Sequence, residues 1–546
     1  MTGAAAVRIQ QQFVQVGERR VFVRHAGQGP AVVLLHQSPQ NSRHMTGWIE
    51  HLSPHHAVFA PDTPGFGQSD PLSLAQPTIP DLAAALLLLL DALALQRVLL
   101  LGVHTGAVIA ARLALDAPQR VAAVVCDGLA LFDASERRDL LDGYLPPFEP
   151  QWDGGHLLWL FARLREQHLF FPWHRSHTAQ RLDYPLPEPA KVHADALDVL
   201  DAGDGYRAGY RAPFLYELGG TTAAALTVPA ALLYREGDVL QTHIARFPPL
   251  PPNVYPERVA GGAAALLARA SAVFAQHAGR ASVVEAATHV GTALSASRRL
   301  LPVAGTGPSG PSWLALRIAE GDRSRAELHL PDIGSAAVWP AARALGACAV
   351  SVDLPGHGAS TGWPADTLTL AAVTEALLQV LQTTGLGGTP VAVHARGASC
   401  AFAVALALNL GQRCASLTLY DPLPLDPTER TCFLAGLPDL CPDANGMALI
   451  AAWNWVRLKH LFWPWQNPHL PGAAIATGAP PPQQVHADVV EILRAGACHA
   501  RLWQLALDFD LPLALGGWSG PLTLKLRQHP EMLRLAARLP HSAGPR

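Results

Sequence analysis

The chain has 546 residues, of which 49% are hydrophobic and 15% charged, with a formal net charge of −3. That length exceeds what a single hydrophobic core serves and suits two domains. The near-neutral balance excludes an electrostatic footprint for nucleic acid or for an anionic membrane surface.

Residues 1–24 alternate polar and apolar positions and contain no continuous hydrophobic block of the signal-peptide kind. Val21-Phe22-Val23, Ala31 to Leu35 and Ala57 to Ala60 read as strands, the second a continuous apolar run of the buried parallel type. Leu82 to Leu95 reads as a helix. It is interrupted by Asp91 and falls short of the ~20 apolar residues that span a bilayer, so a soluble, cytoplasmic protein is expected. Val98 to Leu101 is the next strand, Ala107 to Leu115 a small-residue helix stopped by Pro118, and Val121 to Cys126 a further strand. Alternation of this kind predicts an α/β class with a doubly wound, mostly parallel sheet. Residues 128–226 break the alternation with Trp, Phe, His and Arg at helical spacing, which predicts a helical lid after the sixth strand. Ala230 to Tyr234 resumes the sheet and Val283 to Glu285 is expected as its last strand. The Gly- and Pro-rich stretch from Leu301 to Ser312 reads as a linker.

Much of the first half returns in the second. His168-Leu169-Phe170-Phe171-Pro172-Trp173 recurs as His460-Leu461-Phe462-Trp463-Pro464-Trp465, Asp62-Thr63-Pro64-Gly65-Phe66-Gly67 as Asp353-Leu354-Pro355-Gly356-His357-Gly358, and Val192-His193-Ala194-Asp195 as Val485-His486-Ala487-Asp488. A period of roughly 290 residues is a duplicated domain, not a solenoid repeat. The expected domains are 1–305, with a lid at about 128–226, and a shorter copy over 312–546, with a lid at about 422–510. Seven cysteines without a Cys-x-x-Cys pair predict free, mostly buried thiols. The 24 histidines show no convincing metal-ligand spacing, so no metal and no cofactor are expected.

The stretch from Val98 to Ala111, VLLLGVHTGAVIAA, is a buried strand, a tight turn with Gly102 and Gly106, and a helix. It resembles the G-x-S-x-G nucleophile elbow of the α/β-hydrolase superfamily, with His104 where that family places Ser. His36-Gln37-Ser38-Pro39 resembles its oxyanion loop, Asp62 to Ser69 its D-x-P-G-x-G-x-S loop, Asp238 its triad acid and His289 its terminal histidine. The resemblance covers nearly the whole first copy and implies His104, Asp238 and His289 as the catalytic set. It also implies backbone N–H groups of Gln37 and Thr105 as the oxyanion hole, and a pocket that includes His36, Trp159 and Arg163. Asp127 is a second-ranked acid and Thr105 a weaker nucleophile. The implied activity is hydrolysis of a small, apolar or aromatic ester, amide or lactone. Two alternatives stand beside it: a cofactor-free lyase, isomerase or oxygenase with His104 as base, and a non-catalytic ligand-binding or scaffold protein.

Aligning Ala107-Val108-Ile109 with Ser399-Cys400-Ala401 puts Arg396 at the second copy's elbow centre. Aligning Pro229 to Asp238 with Pro512 to Pro521 puts Pro521 where the acid was, and His541 follows too closely to stand for His289. Asp421 is matched with Asp127. The second copy is therefore expected to be degenerate, and the two copies to pair within the chain. The residues both keep, Asp62 and Asp353, His168 and His460, Arg165 and Arg457, Trp173 and Trp465, are expected to be structural.

Overall fold

Two sheets account for the alternation of strands and helices in the sequence. The computed structural model describes residues 7–217, 219–285, 297–307, 310–335, 346–475 and 478–540. By its contacts the chain divides into one unit of residues 1–149 and 159–295 and a second of residues 150–158 and 296–546.

The first sheet contains β1 (Gln10–Val16), β2 (Arg19–Ala26), β3 (Gly29–Leu35), β4 (Ala57–Pro61), β5 (Val98–Val103), β6 (Val121–Asp127), β7 (Ala230–Arg235) and β8 (Val254–Val259). Their spatial order is β1-β2-β4-β3-β5-β6-β7-β8, and β9 (Val283–Val284) pairs with β3 off this path. The pairs β1–β2 and β2–β4 are antiparallel, and every pair from β4 to β8 is parallel. β3 shows why its residues are uniformly apolar. Val33 and Leu35 enter one core with the helices Ile79–Ala92 and Thr105–Asp116, while Val32 and Leu34 enter another with Ile49, Leu52 and Phe274. A strand buried on both faces has no polar face to alternate with. The helix Ile79–Ala92 starts where Thr78 and Asp81 close a reciprocal capping box. Successive strands are laid down on opposite sides of β3, β4 on one and β5 on the other, which opens a crevice at the carboxyl ends of β3 and β5.

Between β6 and β7 come the helices Ala134–Gly143, Gly155–Leu169, Pro189–Ala202, Tyr206–Leu215 and Gly219–Ala224, in the region expected to be helical. The expected last strand needs correction: β9 is a two-residue antiparallel addition, and the sheet ends on β8. β8 contains Pro256, Glu257 and Arg258 and reads poorly as a strand, but an edge position tolerates a residue without an N–H.

The second sheet contains β10 (Arg298–Gly307), β11 (Gly310–Ala319), β12 (Asp322–Leu330), β13 (Ala347–Val352), β14 (Val391–Arg396), β15 (Cys414–Tyr420) and β16 (Leu522–Lys525). Its order, β10-β11-β13-β12-β14-β15-β16, repeats that of β1 to β7 with the same parallel and antiparallel pairs. No counterpart of β8 pairs with it among the described residues. The helices Pro427–Ala435, Met447–Leu461, Pro482–Ala495, Ala497–Asp508 and Leu511–Gly516 lie between β15 and β16. The linker expected over Leu301 to Ser312 is corrected: its residues 301–307 lie in β10 and its residues 310–312 in β11, an antiparallel pair equivalent to β1 and β2. Glycine and proline there mark a hairpin rather than a tether.

The Asp-x-Pro-Gly-x-Gly loops hold sharp turns in both units. Asp62 accepts from the N–H groups of Ser42 and Gln68, both at 2.8 Å, and Asp353 accepts from Ala359 N–H and from Arg317. A Cβ on Gly67 or Gly358 would lie 2.2 or 2.1 Å from those carboxylates, so only glycine fits. All seven cysteines are free, and Cys432 and Cys441 are the exposed ones. No helix among the described residues is long and apolar enough to cross a membrane.

Candidate active site

β5 ends at Val103 and the helix Thr105–Asp116 begins two residues later, so His104 must turn the chain alone. It does so at φ 46° and ψ −104°, a region that non-glycine residues occupy only under strain. The two flanking glycines are obligatory. A Cβ at Gly102 would lie 2.1 Å from the Gly106 carbonyl oxygen, and one at Gly106 would lie 2.3 Å from that of Leu35. The strained corner aims the imidazole out of the sheet's carboxyl edge.

There it meets Asp238, three residues beyond β7. His104 Nε2 is 3.0 Å from Asp238 Oδ2, with the imidazole 30% exposed and the carboxylate 4%. Oδ1 of Asp238 accepts from the Leu240 N–H at 2.7 Å. Burial pulls the His104 pKa down, but the hydrogen bond and charge of Asp238, helped by Asp127, outweigh it and leave it raised. Burial pushes Asp238 up, yet hydrogen bonding to His104 and the charges around it hold it below the ordinary carboxylate range. Gly128 passes close enough that a Cβ there would sit 2.5 Å from His104 Cδ2, so the imidazole is pinned from behind.

His104 and Asp238 open on a cavity of about 470 Å³ roofed by the helices after β6. Gln37 lines it, next to the elbow. Thr105 is buried, and its Oγ1 accepts from the Ser38 N–H at 3.4 Å, which joins the elbow to the loop after β3 and turns the hydroxyl away from the cavity. His289 lies outside the described residues. Three other expected residues stand behind the wall rather than in it. His36 is spent on structure: Nε2 accepts from the Thr63 N–H at 2.9 Å and Nδ1 lies 3.0 Å from the Gln37 carbonyl. Trp159 packs against Phe148 and Trp173. Arg163, 2% exposed, lies among the rings of Tyr144, Trp173 and Tyr206 and donates to Gln167. Asp127 is buried beside Arg235 Nε, 3.4 Å away.

The wall contains residues that sequence reasoning missed, among them Gln167, Tyr144, Tyr184 and Tyr210. Burial drives the Tyr210 hydroxyl well above its usual pKa, which keeps it a neutral donor. Tyr184 donates to the carbonyl of Gly237, beside Asp238, at 2.5 Å. Helical spacing of aromatics in the lid was the available signal, but it does not say which ring faces inward. His168, expected to be structural, also lines the cavity.

The second unit shows what the same framework looks like refilled. Strand register makes Gly102-Val103-His104-Thr105 equivalent to Ala395-Arg396-Gly397-Ala398. The corner residue is therefore Gly397, at φ 59°, and not Arg396, which is extended with its guanidinium over the Tyr420 ring. The same register sets Asp421 opposite Gly128, not Asp127, and both have positive φ. Val124 N–H donates to Pro229 O and Leu417 N–H to Pro521 O, so Pro521 corresponds to Pro229, and counting equally far beyond brings the acid position to Pro530. Asp332, in the position of Gln37, accepts at Oδ1 from the N–H groups of Ile333 at 2.9 Å and of Ala398, the counterpart of Thr105, at 3.2 Å, and Lys459 sits 3.1 Å from Oδ2.

Residues 30–206 match the family model described as alpha/beta hydrolase fold. The chain is 33% identical over 105 residues to a pimeloyl-[acyl-carrier protein] methyl ester esterase of Aeromonas salmonicida, covering 19% of this chain and 40% of that one. It is 29% identical over 126 residues to a 2-hydroxy-6-oxo-6-phenylhexa-2,4-dienoate hydrolase of Burkholderia cepacia, covering 21% of this chain and 44% of that one. It thus spans less than half the length of these curated relatives. An epoxide hydrolase from Vigna radiata aligns in structure at a TM-score of 0.39 and 22% identity, over 49% of this chain and 98% of that one. The family match over residues 30–206, with the parallel sheet and its strand-to-helix elbow, places the first unit in the α/β-hydrolase superfamily.

Proposed function

We propose that the first unit hydrolyses a small ester, amide or lactone with an apolar or aromatic acyl part, and that His104 is its reacting group. The observation that carries this is the His104–Asp238 pair, closed at 3.0 Å in the wall of a cavity. With Nε2–H donated to Asp238, the lone pair falls on Nδ1. That nitrogen takes a proton from water while the water oxygen adds to the carbonyl carbon. The tetrahedral intermediate then collapses, and the leaving group departs with the proton returned by the imidazolium. Backbone N–H groups of Gln37 and Thr105 are the proposed oxyanion donors. Leu164, Phe171, Leu182 and the lid tyrosines in the wall suit an apolar or aromatic group. The matched relatives are named for an ester and for a phenyl-bearing substrate.

A second reading, direct attack by Nδ1 to give an acyl-imidazole, is favoured by the elbow position itself, which presents a side chain as a nucleophile would be presented. A panel of aryl and alkyl esters with acid-quenched mass spectrometry separates the two. Turnover without a trapped acyl group supports water activation, and a covalent adduct on His104 supports direct attack. Saturable ligand binding with no turnover across the panel would replace hydrolysis with a binding role. The second copy, with Gly397 at its corner, Asp332 bonded to the Ala398 N–H and Pro530 at its acid position, is proposed to be catalytically silent.

A further inference from the structure

Three side chains on the second sheet have no chemical counterpart in the first. Register equates Glu327, His329 and His394 with Val32, Leu34 and Leu101, all three fully buried in an apolar core. In the second unit, His329 on β12 and His394 on β14 are direct neighbours across the parallel pair, and Glu327 precedes His329 by one pleat on the same face. The two imidazoles stack with centroids 4.6 Å apart and planes at 8°. Glu327 Oε2 lies 2.8 Å from His329 Nε2 and 3.9 Å from His394 Nε2. One ligand atom from each of the three residues can be chosen so that all lie within 4.8 Å of one another.

Packing does not account for this arrangement. Neither ring nitrogen of His394 has a hydrogen-bond partner, although both atoms are shielded from solvent, and unused buried polar atoms are costly. A cation at the edge of the two rings would use one of them. Two imidazoles and a carboxylate form the borderline donor set that zinc-class ions prefer. Tetrahedral bonds of about 2.0–2.2 Å place ligand atoms roughly 3.3–3.5 Å apart, a value bracketed by the 2.8 and 3.9 Å separations seen. Small ring rotations would close the site. A second grouping, His44 with Asp195 and Asp198, differs in kind because its carboxylates are already neutralised by Lys191 at 2.5 Å and Arg43 at 2.6 Å.

We propose that Glu327, His329 and His394 bind one divalent transition-metal ion of the zinc class, with the remaining coordination position left to solvent. The site lies in the second unit and does not depend on hydrolysis by the first. Its test is a titration of the untagged, full-length chain with Co²⁺, followed by visible ligand-field absorption, and with Zn²⁺ by calorimetry. One saturable equivalent is expected. His329→Ala and His394→Ala should each weaken it by at least about tenfold, the lower bound for losing even an outer-sphere partner, and His44→Ala should leave it unchanged. If an alanine variant fails to fold, His394→Asn keeps a polar side chain that stops short of the Nε2 position and serves in its place. The metal-free melting temperature of each variant shows whether it has folded. Absence of saturable binding, binding unchanged in the His329 and His394 variants, or loss caused by His44→Ala would overturn the proposal.

Discussion

His104 and Asp238 share one hydrogen bond, and each shifts the other's pKa toward its charged form. Removing the imidazole outright would take the donor from Oδ2 of a nearly buried carboxylate, so His104→Gln is the cleaner variant. It keeps an N–H for Asp238 but no titratable nitrogen. Ester turnover should fall by about 10²-fold or more, the usual weight of a general base, with a melting temperature close to the parent's. Retained turnover would make Tyr184 or another wall residue the active group. The pH profile follows from the raised His104 pKa. A base works only when deprotonated, so kcat/KM should rise with pH through an inflection above the ordinary histidine value of about 6.5. In Asp238→Asn that inflection should move down, because burial then acts on the imidazole without the carboxylate to oppose it. Stability runs the other way. The pair's contribution from His104 is complete below the unfolded histidine pKa and is lost as pH rises through the folded one. Its contribution from Asp238 is present above the unfolded carboxylate pKa and is lost as pH falls through the depressed folded value. Melting curves of parent and Asp238→Asn should therefore differ most between those two limits and converge outside them.

The strand-to-helix corner is the element on which the proposed chemistry rests, and its tolerance differs between the copies. Gly106→Ala should destabilise by roughly 1–3 kcal/mol, as overpacking against immovable backbone does, since its Cβ meets the Leu35 carbonyl at 2.3 Å. A denaturant midpoint equal to the parent's would show that the strand and helix can separate. In the second copy the corner is held by Asp332, which satisfies two N–H groups and pairs with Lys459. Asp332→Ala should cost about 1–3 kcal/mol for the donors left unsatisfied and should create no esterase activity, because Gly397 and Pro530 provide neither base nor acid. Arg396→Ala, at the exposed end of β14, should leave the first copy's rate within about twofold, or ~0.4 kcal/mol in the barrier. Loss of turnover in that variant would bring the second copy into the active site.

At the scale of the molecule, the division into units is not sequential. Residues 150–158 belong with the second unit. Within that unit the Trp152 carbonyl accepts from the Trp453 indole at 3.1 Å, Arg457 lies over the Trp152 ring, and His156 packs edge-on to Trp453. A chain ending at residue 295 would keep this segment without these partners of Trp152 and His156. Such a truncation is expected to bind hydrophobic dyes and to elute as aggregates in size-exclusion chromatography. A monodisperse truncation with the parent's melting temperature would contradict this.

Period and pattern in the sequence were enough to determine the duplication, the parallel sheets, the helical excursions and the elbow with its unusual histidine. Each of these depends on residues close in the chain: continuous apolar runs for strands buried on both faces, and paired glycines for a corner too tight for any Cβ. Tertiary structure alone decided the second copy's true correspondences. There, Pro521 pairs in the position of Pro229, Gly397 takes the corner and Asp332 bonds to the N–H that follows it. It also decided that His36 and Arg163 stand behind the cavity wall while Tyr184 and Gln167 form it. Register between distant strands and the inward face of a lid helix are set by long-range pairing and packing. A local window of sequence carries neither.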